Sequence, residues 1–248
     1  MFRPRVKICC ISSLEETKLA IGAGADAIGL VSAMPSGPGV IEEALIARIA
    51  AAVPPSVATF LLTSLQEVGA IVAQYNRCRT STIQLCDRLR EGSHAELRRA
   101  LPGVRLVQVV HVIDEASVAE AMAFAPEVDA LLLDSGNPTL AVKELGGTGR
   151  LHDWTLSRRI REAITVPVFL AGGLNPGNVA AAVATVAPFG LDLCSGVRTA
   201  GHLDPQKLHE FFARLQCTVG NQETHQETHQ ETHQETHQKT QPPAPFIG

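Results

Sequence analysis

Short apolar segments alternate with longer amphipathic segments along most of this chain. The apolar segments are rich in Val, Ile and Leu, whereas the segments between them are rich in Ala, Glu and Arg. This alternation is typical of strand–helix units arranged around a parallel sheet. It predicts eight strands, at residues 6–11, 27–32, 57–63, 82–86, 105–112, 130–135, 166–172 and 191–195.

Three of the predicted helices have recognisable starts. Ser13 and Glu16 have the spacing of a capping box, in which each side chain bonds the other residue's backbone N–H. Asn175 and Asp204 each precede a proline, a residue favoured at the first helical position. These signals predict the starts of the first, seventh and eighth helices, and Gly24 predicts the end of the first.

Eight strand–helix units can form a (β/α)8 barrel or an open doubly wound sheet. The patterned part of the chain ends near residue 217, which is close to the lower size limit of about 200 residues for the barrel. No Gly-x-Gly-x-x-Gly motif follows the first strand, which weakens the dinucleotide-binding alternative. We therefore predict an α/β fold, a (β/α)8 TIM barrel, with its site at the carboxyl ends of the strands.

Composition and charge exclude several classes of protein. The chain is 45% hydrophobic and 19% charged, as an ordinary globular domain is. Its apolar stretches are far shorter than the roughly 20 residues that span a bilayer, and its first residues lack the features of a secretory signal, so we expect no membrane partner and a cytoplasmic location. The net charge of −4 comes mostly from the tail, which leaves no electrostatic case for nucleic acid.

The six cysteines, at positions 9, 10, 78, 86, 194 and 217, form no Cys-x-x-Cys pair. In a protein that is not secreted, such scattered cysteines argue against structural disulfides. Reduced thiols are therefore expected.

The segment after residue 217 differs in kind from the rest. Residues 222–237 are four exact copies of Gln-Glu-Thr-His, and a Pro-rich end follows. Without apolar residues such a segment cannot bury a face, so we predict a barrel domain at 1–217 and a low-complexity, disordered tail at 218–248. As a helix, the tail would place its histidines on one face, a spacing that can bind a metal, but a solvated repeat is the favoured interpretation. We predict neither a metal nor a cofactor.

Candidate chemistry stands at the predicted strand ends. Alternation along the first strand puts Lys7 and Cys9 on one side and Cys10 on the other, so only one thiol is expected to face the lumen. The ammonium at Lys7 would favour a Cys9 thiolate. Asp134 follows three leucines, and a carboxyl group among apolar neighbours tends to keep a proton that it can donate. The alternative for Asp134 is a cap for the following loop.

Glycines follow the last three strands. They occur at 146–149, at 172–173 and at 196, beside Ser195. Glycines after the seventh and eighth strands allow backbone N–H groups to approach an anion, which is the usual phosphate position in such barrels. The residues alone therefore predict a phosphate-binding barrel with a candidate base and a candidate acid, and leave the substrate open.

The motifs, in their order and spacing, resemble the phosphoribosylanthranilate isomerases of tryptophan biosynthesis from Val6 to about Leu215. The matching segments are residues 6–9, 24–29, 84–85, 132–135, 146–149 with 153–154, 171–176 and 195–197. The resemblance implies an Amadori rearrangement of the aminoaldose N-(5-phosphoribosyl)anthranilate to an aminoketose, with no cofactor. The implied partner is a small phosphosugar, and the chain is expected to be a monomer or a homodimer.

The resemblance also implies residue roles. Cys9 matches the family's general base and Asp134 its general acid. Asp192 matches a carboxylate near the polar groups of the substrate. Substrate contacts are further implied for Lys7, Gln84, Gly147, Gly172, Gly173, Ser195 and Gly196.

Six positions depart from the usual family motifs. Cys10 and Ser12 stand where Gly and Thr are usual, Cys86 and Asp87 replace His and Gly, and Cys194 and Arg198 replace Ser and Glu. In addition, residues 31–41 contain no Arg or Lys, although the family has an arginine there that holds the anthranilate carboxylate. Two alternatives therefore stay open: a related isomerase of another phosphosugar, and a phosphosugar-binding barrel without catalysis.

Overall fold

The computed structural model describes residues 3–218, and the prediction for the tail lies outside these residues. The described chain forms a closed barrel in which eight parallel strands pair in sequence order, and the eighth strand pairs with the first. The predicted (β/α)8 TIM barrel is confirmed. Strands β1 to β8 cover Arg5–Ile8, Ala27–Val31, Ala58–Thr63, Thr82–Leu85, Arg105–His111, Ala130–Asp134, Val168–Leu170 and Gly190–Leu193.

A helix follows each strand of the barrel. Helices α1 to α7 cover Leu14–Ala23, Glu43–Ala52, Val68–Cys78, His94–Ala100, Ala116–Phe124, Trp154–Ala163 and Val179–Val186. The eighth helix, α8, covers 205–218. Short 3-10 turns at Ala125–Glu127 and Ser195–Val197 and a small hairpin of Arg198–Thr199 with His202–Leu203 complete the described elements.

The first and last helices begin where the sequence predicts. The Ser13 side chain accepts a hydrogen bond from the Glu16 backbone N–H at 3.1 Å, and Glu16 Oε2 accepts one from the Ser12 backbone N–H at 2.9 Å. In a regular capping box the Glu16 carboxylate would bond the backbone N–H of Ser13, whereas here it bonds the backbone N–H of Ser12. Gly24 ends α1 in the left-handed region, with φ +106°, and Asp204 Oδ1 accepts from the Gln206 backbone N–H at the start of α8.

The predicted start of the seventh helix is wrong by one turn. Asn175 Oδ1 accepts from the Gly177 backbone N–H, but residues 176–178 form a turn and α7 begins at Val179. The Asn178 side chain accounts for the difference. Its Oδ1 accepts from the Asn175 backbone N–H and its Nδ2 donates to the Gly173 carbonyl, so the segment stays folded against the loop after β7.

Several strands are shorter than predicted, because the apolar pattern continues past the end of the regular strand. The clearest case is β1, which ends at Ile8 although the pattern runs to Ile11. At Cys10 the backbone enters the left-handed region, with φ 60°, and this breaks the strand.

Two apolar layers hold the barrel together. Outward-facing strand residues such as Ile8, Leu61 and Leu191 pack against the helices and are fully buried. A smaller cluster that includes Phe60 and Phe169 fills the lumen. The two layers follow from the alternation of side chains along each strand, and the inward positions near the carboxyl ends are the ones that carry polar groups.

None of the helices among the described residues is long and apolar enough to cross a membrane.

Candidate active site

A cavity opens at the carboxyl ends of the strands, where a barrel gathers its loops. Most of the predicted site residues line it: Cys9, Gln84, Asp134, Gly147, Gly172, Gly173, Asp192 and Ser195. Lys7 and Gly196, which were also predicted, do not contribute to its lining. The cavity therefore brings together side chains that are up to 186 positions apart in sequence.

Lys7 lies below the cavity floor in an ion pair with Asp192. Its side chain is fully buried, and its Nζ is 2.9 Å from Asp192 Oδ1. The two residues are direct neighbours in the β1–β8 register, and the ring of Phe60 lies 5.2 Å from the ammonium. Burial opposes the charge, but Asp192 and the nearby thiols outweigh it and raise the pKa of Lys7. Lys7 is therefore a fixed positive charge under the site.

Breaking this pair should destabilise the barrel strongly. We expect Lys7→Met to lower the free energy of unfolding by about 3–5 kcal/mol, because Asp192 is left as a buried, unpaired carboxylate. The double variant Lys7→Met/Asp192→Leu should recover much of the loss, since it removes both charges. Urea denaturation followed by circular dichroism measures both values. Equal destabilisation in the single and double variants would show that packing, and not charge pairing, sets the cost.

Cys9 follows β1 directly and lies next to this ammonium. The chain leaves room for both groups at Gly29 on β2, where an added Cβ would lie 2.8 Å from Cys9 Sγ and 3.1 Å from Lys7 Nζ. The thiol is 6% exposed and lines the cavity. The predicted arrangement of an ammonium beside the Cys9 thiol is therefore present.

The expectation that one thiol faces the lumen is wrong, because Cys10 also lines the cavity. In a regular strand the Cys10 side chain would point away from the lumen, but with a φ of 60° it points into the cavity. A non-glycine residue in this region costs about 1–2 kcal/mol. The usual family glycine at this position would have no such cost.

Asp134 ends β6 inside the cavity and is 7% exposed. Its Oδ1 accepts a hydrogen bond of 2.7 Å from the Ser135 backbone N–H, so it also has the capping role given as the alternative. Burial raises the pKa of Asp134, although the Ser135 bond and the charge of His111 act in the opposite direction. A raised pKa favours the protonated carboxyl group, which can donate its proton.

The glycine-rich loops after β6, β7 and β8 form part of the cavity wall. Gly147, Gly172 and Gly173 have positive φ and line the cavity with Ser195. Gly196 has a different role: an added Cβ would lie 1.9 Å from the Leu174 carbonyl oxygen, so this glycine allows the loops after β7 and β8 to pack together.

Gln84 on β4 presents an unsatisfied group. Its Nε2 lies 3.7 Å from Cys86 Sγ, and its buried Oε1 has no hydrogen-bond partner among the described residues. Since Gln84 lines the cavity, this oxygen is available to a ligand. Burial raises the pKa of Cys86, so that thiol stays protonated.

Within the described chain, no Arg or Lys lines the cavity. Arg48 is exposed on α2, Arg77 pairs with Glu43 between α2 and α3, and Arg79 bonds the Asn76 carbonyl at the end of α3. None of them supplies the cation that is missing after β2.

Arg198, which stands where the family has a glutamate, lies behind the strand ends and does not line the cavity. Its Nη2 donates to the Cys10 carbonyl at 2.6 Å and to the Cys9 carbonyl at 3.3 Å, and its Nη1 bonds Glu16 Oε1 at 2.8 Å. The side chains of Arg198 and Glu16 are 8% and 12% exposed. The pair therefore holds the backbone that carries Cys9 and Cys10.

The Glu16 carboxylate should make stability dependent on pH. Burial alone would raise its pKa, but hydrogen bonds from Arg198 and from the Leu203 and Ser12 backbone N–H groups lower the pKa of Glu16 to about 2. A lowered pKa adds stability above the unfolded value of about 4.3, and this stability is lost as the pH falls towards 2. We expect Glu16→Gln to lower the free energy of unfolding by about 2–3 kcal/mol at pH 7.

Chemical denaturation at pH 7, 4 and 3 tests this expectation. The deficit of Glu16→Gln should shrink as the pH falls, whereas Glu210→Gln, on the exposed side of α8, should behave like the unmodified protein. A deficit that is constant with pH would exclude the charge of Glu16 as its cause.

Several residues that sequence reasoning did not assign to the site also line the cavity, among them Cys10, Cys194, Met34 and Thr148. Cys10 and Cys194 had a signal, because they occupy positions where glycine and serine are usual, and Thr148 lies inside the glycine motif at 146–149. Met34 lies in the loop after β2, whose path no pattern specifies. Within the described residues, no group of His, Cys, Asp or Glu is arranged to hold a metal ion.

A closed barrel with a thiol, a protonatable carboxyl group and glycine loops at its mouth defines a (β/α)8-barrel enzyme of the acid–base type. The family model for N-(5'-phosphoribosyl)anthranilate isomerase matches residues 6–214. The chain therefore belongs to the N-(5'-phosphoribosyl)anthranilate isomerase family. Its activity is that of an aldose–ketose isomerase, an intramolecular oxidoreductase, in tryptophan biosynthesis.

Individual relatives agree with this assignment. The chain is 34% identical to N-(5'-phosphoribosyl)anthranilate isomerase 2 of Methanosarcina mazei over 212 residues, which cover 85% of this chain and 93% of the relative. It is 38% identical to the isomerase of Haloarcula marismortui over 198 residues, 79% of this chain and 88% of the relative.

Solved structures show the same fold. The isomerase from Thermotoga maritima superposes with a TM-score of 0.71 at 29% identity, over 86% of this chain and 98% of that one. A phosphoribosyl anthranilate isomerase in complex with reduced 1-(o-carboxyphenylamino)-1-deoxyribulose 5-phosphate superposes with a TM-score of 0.69 at 27% identity, over the same shares.

Proposed function

We propose that this chain converts N-(5'-phosphoribosyl)anthranilate to the 1-deoxyribulose 5-phosphate aminoketose, with Cys9 as general base and Asp134 as general acid. The observation that carries the proposal is that Cys9 and Asp134 line one cavity to which the glycine loops after β6, β7 and β8 also contribute. The product analogue bound to a solved relative is a phosphosugar of this kind.

Asp134 acts first, at the furanose ring. Its carboxyl proton passes to the ring oxygen while the C1–O bond breaks, and the anthranilate nitrogen supplies the electron pair that forms the C1=N bond. The buried site favours this step, because burial raises the pKa of Asp134 and so favours the protonated form that the ring oxygen needs.

Cys9 acts next, at C2 of the opened sugar. Its thiolate removes the C2 proton, the electrons move to form the C1=C2 bond, and the iminium nitrogen becomes a neutral amine. The enolamine then takes a proton at C1 from the Cys9 thiol and gives the hydroxyl proton at C2 to the Asp134 carboxylate, which yields the aminoketose and restores both groups. Lys7 supplies a fixed positive charge below the thiolate throughout.

The loops after β6, β7 and β8 anchor the phosphate. Gly147, Gly172 and Gly173 present backbone without side chains, and Ser195 adds a hydroxyl group. Backbone N–H groups at such loops bind phosphate oxygens well. Gln84 and Asp192 face the middle of the cavity, where the sugar hydroxyl groups would lie.

The identity of the product tests this proposal. Freshly generated N-(5'-phosphoribosyl)anthranilate is incubated with the protein, and the product is followed by proton and carbon NMR. The aminoketose has a carbonyl carbon at C2 and two protons on C1. A product that keeps its proton on C2, or the absence of any product beyond the uncatalysed background, would contradict the proposed activity.

The absence of Arg and Lys from the described lining of the cavity favours a second candidate, an isomerase of phosphoribosyl amines that lack the ring carboxylate. A charge-assisted hydrogen bond to that carboxylate is worth about 1.5–3 kcal/mol, which corresponds to roughly 10- to 150-fold in binding. Without such a bond, the carboxylate should contribute little to recognition.

The ratio of kcat/KM for the anthranilate adduct and the aniline adduct separates the two candidates. We expect a ratio within about 10-fold of unity. The described lining of the cavity has no cation that would bind the anthranilate carboxylate, so the two adducts should bind with similar strength. A preference for the anthranilate adduct of more than about 100-fold would show that a cation reaches the ring and would exclude the second candidate.

The state of assembly stays a prediction of monomer or homodimer. A solved structure with a TM-score of 0.69 comes from a dimeric isomerase of Thermotoga maritima. Light scattering on the full chain decides between the two.

A further inference from the structure

Two thiols that the proposed mechanism does not use meet beside the base. Cys10 follows β1 and Cys194 follows β8, and their sulfur atoms are 2.8 Å apart. This separation is shorter than an ordinary contact of roughly 3.5 Å between heavy atoms. Both residues line the open cavity.

The backbone brings these two residues within reach of a covalent bond. Ile8 and Leu193 are direct neighbours in the parallel register of β1 and β8, and the Cys9 backbone N–H donates to the Leu193 carbonyl at 2.7 Å. Neighbouring strands lie about 4.8 Å apart, and a disulfide needs Cα atoms separated by about 4.4–6.8 Å. Because the two sulfur atoms already face each other, closing the bond needs only a small approach.

The surroundings make Cys194 the more reactive thiol of the pair. A hydrogen bond with Cys10 and the charge of Arg198 lower the pKa of Cys194, whereas that same hydrogen bond, a second one with Cys9 and burial raise the pKa of Cys10. Cys194 is also partly exposed, whereas Cys10 is buried. A thiolate with solvent access next to a protonated thiol is typical of oxidisable pairs.

We propose that Cys10 and Cys194 form an oxidisable dithiol, which hydrogen peroxide converts to a disulfide that joins the ends of β1 and β8 beside Cys9. The Cys194 thiolate attacks one peroxide oxygen, the O–O bond breaks, and hydroxide leaves and becomes water. This step produces a sulfenic acid. The Cys10 sulfur then attacks Cys194 Sγ, the S–O bond breaks, and the leaving hydroxide takes the Cys10 proton as a second water.

The disulfide would affect two parts of the cavity wall, the loop after β2 and the loop after β8. Cys10 Sγ lies 3.6 Å from the Pro38 carbonyl, and an added Cβ at Gly39 would lie 2.9 Å from that sulfur, so Cys10 supports the loop after β2. Cys194 directly precedes Ser195 in the wall formed by the glycine loops. Drawing the two sulfurs together therefore shifts the phosphate wall towards the base, while Cys9 itself stays a free thiol.

Mass spectrometry of the full chain tests the proposal. The background is Cys217→Ser, which removes an exposed thiol that could link two molecules. After treatment with hydrogen peroxide, we expect the intact mass to fall by two hydrogen atoms and to return with dithiothreitol. Fragmentation of the linked tryptic peptides should assign the bond to Cys10 and Cys194. A gain of oxygen atoms without a link, or a link through Cys9, would overturn the proposal.

Variants of the individual cysteines test separately which two of them form the disulfide. The link should persist in Cys9→Ala and in Cys78→Ser, and it should be absent from Cys10→Ser and Cys194→Ser. In Cys10→Ser, Cys194 should instead gain oxygen atoms, because its sulfenic acid has lost the thiol that contacts it. Persistence of the same mass loss in Cys10→Ser would exclude Cys10 as the partner.

Turnover gives a second readout, which depends on the proposed isomerase activity, whereas the mass readout does not. Peroxide should inactivate the Cys217→Ser protein reversibly, with at least half of the activity returning on reduction, and should inactivate Cys10→Ser irreversibly. A disulfide that forms without any loss of turnover would show that it does not act on the site.

Discussion

Replacing Cys9 by Ala should reduce kcat by about 10²- to 10⁴-fold, the usual contribution of a positioned acid–base group. The proposed mechanism assigns the removal of the C2 proton to the Cys9 thiolate, and an alanine methyl group cannot accept a proton. KM should change little, because the glycine loops that hold the phosphate are separate from the thiol. Kinetics with N-(5'-phosphoribosyl)anthranilate measure both constants.

Two further variants make this expectation specific. Cys9→Ser keeps the size of the side chain but replaces the thiol by a much weaker acid, so it should lose nearly as much activity as Cys9→Ala. Cys217→Ser changes an exposed thiol in the last described turn of α8 and should leave kcat unchanged. If Cys9→Ser retained most of the activity, the thiol would not be the base.

Asp134→Asn should have a comparable effect, with a loss of about 10²- to 10⁴-fold in kcat. The amide keeps the shape of the carboxyl group and can still accept the bond from the Ser135 backbone N–H, but it has no acidic proton to give to the ring oxygen. The control is Asp129→Asn. Asp129 directly precedes the same strand at the opposite end of the barrel, where it pairs with Arg98.

The pH profile identifies Asp134 as the acid. Because burial raises the pKa of Asp134, the group is protonated at lower pH, and activity should fall as the pH rises through that raised pKa. Asp134→Asn has no such group, so its residual rate should lack this decline. A decline on the alkaline side that persists unchanged in Asp134→Asn would assign it to another residue.

The barrel could be predicted from the sequence because its signals are local. Alternating apolar and amphipathic segments mark eight strand–helix units, and Ser13 and Asp204 mark two helix starts. The start of α7 could not be read in the same way. Asn175 with Pro176 has a local capping signal, but the Asn178 side chain binds the loop after β7, and that contact depends on the tertiary fold.

The site could be predicted only in part. Cys9 and Asp134 were found because a barrel gathers all strand ends, whichever residues they carry. The pairs Lys7–Asp192 and Arg198–Glu16 join residues 185 and 182 positions apart, and the register of β1 against β8 decides them. Cys10 was assigned to the wrong side of β1, because the backbone has a left-handed φ there and the alternation of a strand ends; the glycine that is usual in the family at this position was the one signal for it.

The most direct test of the account is the initial rate at which N-(5'-phosphoribosyl)anthranilate fluorescence is lost, measured side by side for the unmodified protein, Cys9→Ala and Asp134→Asn. We predict rapid loss with the unmodified protein and rates close to the uncatalysed background with both variants. No loss above background with the unmodified protein at high concentration, or equal rates for all three proteins, would contradict an isomerase in which Cys9 and Asp134 move the protons.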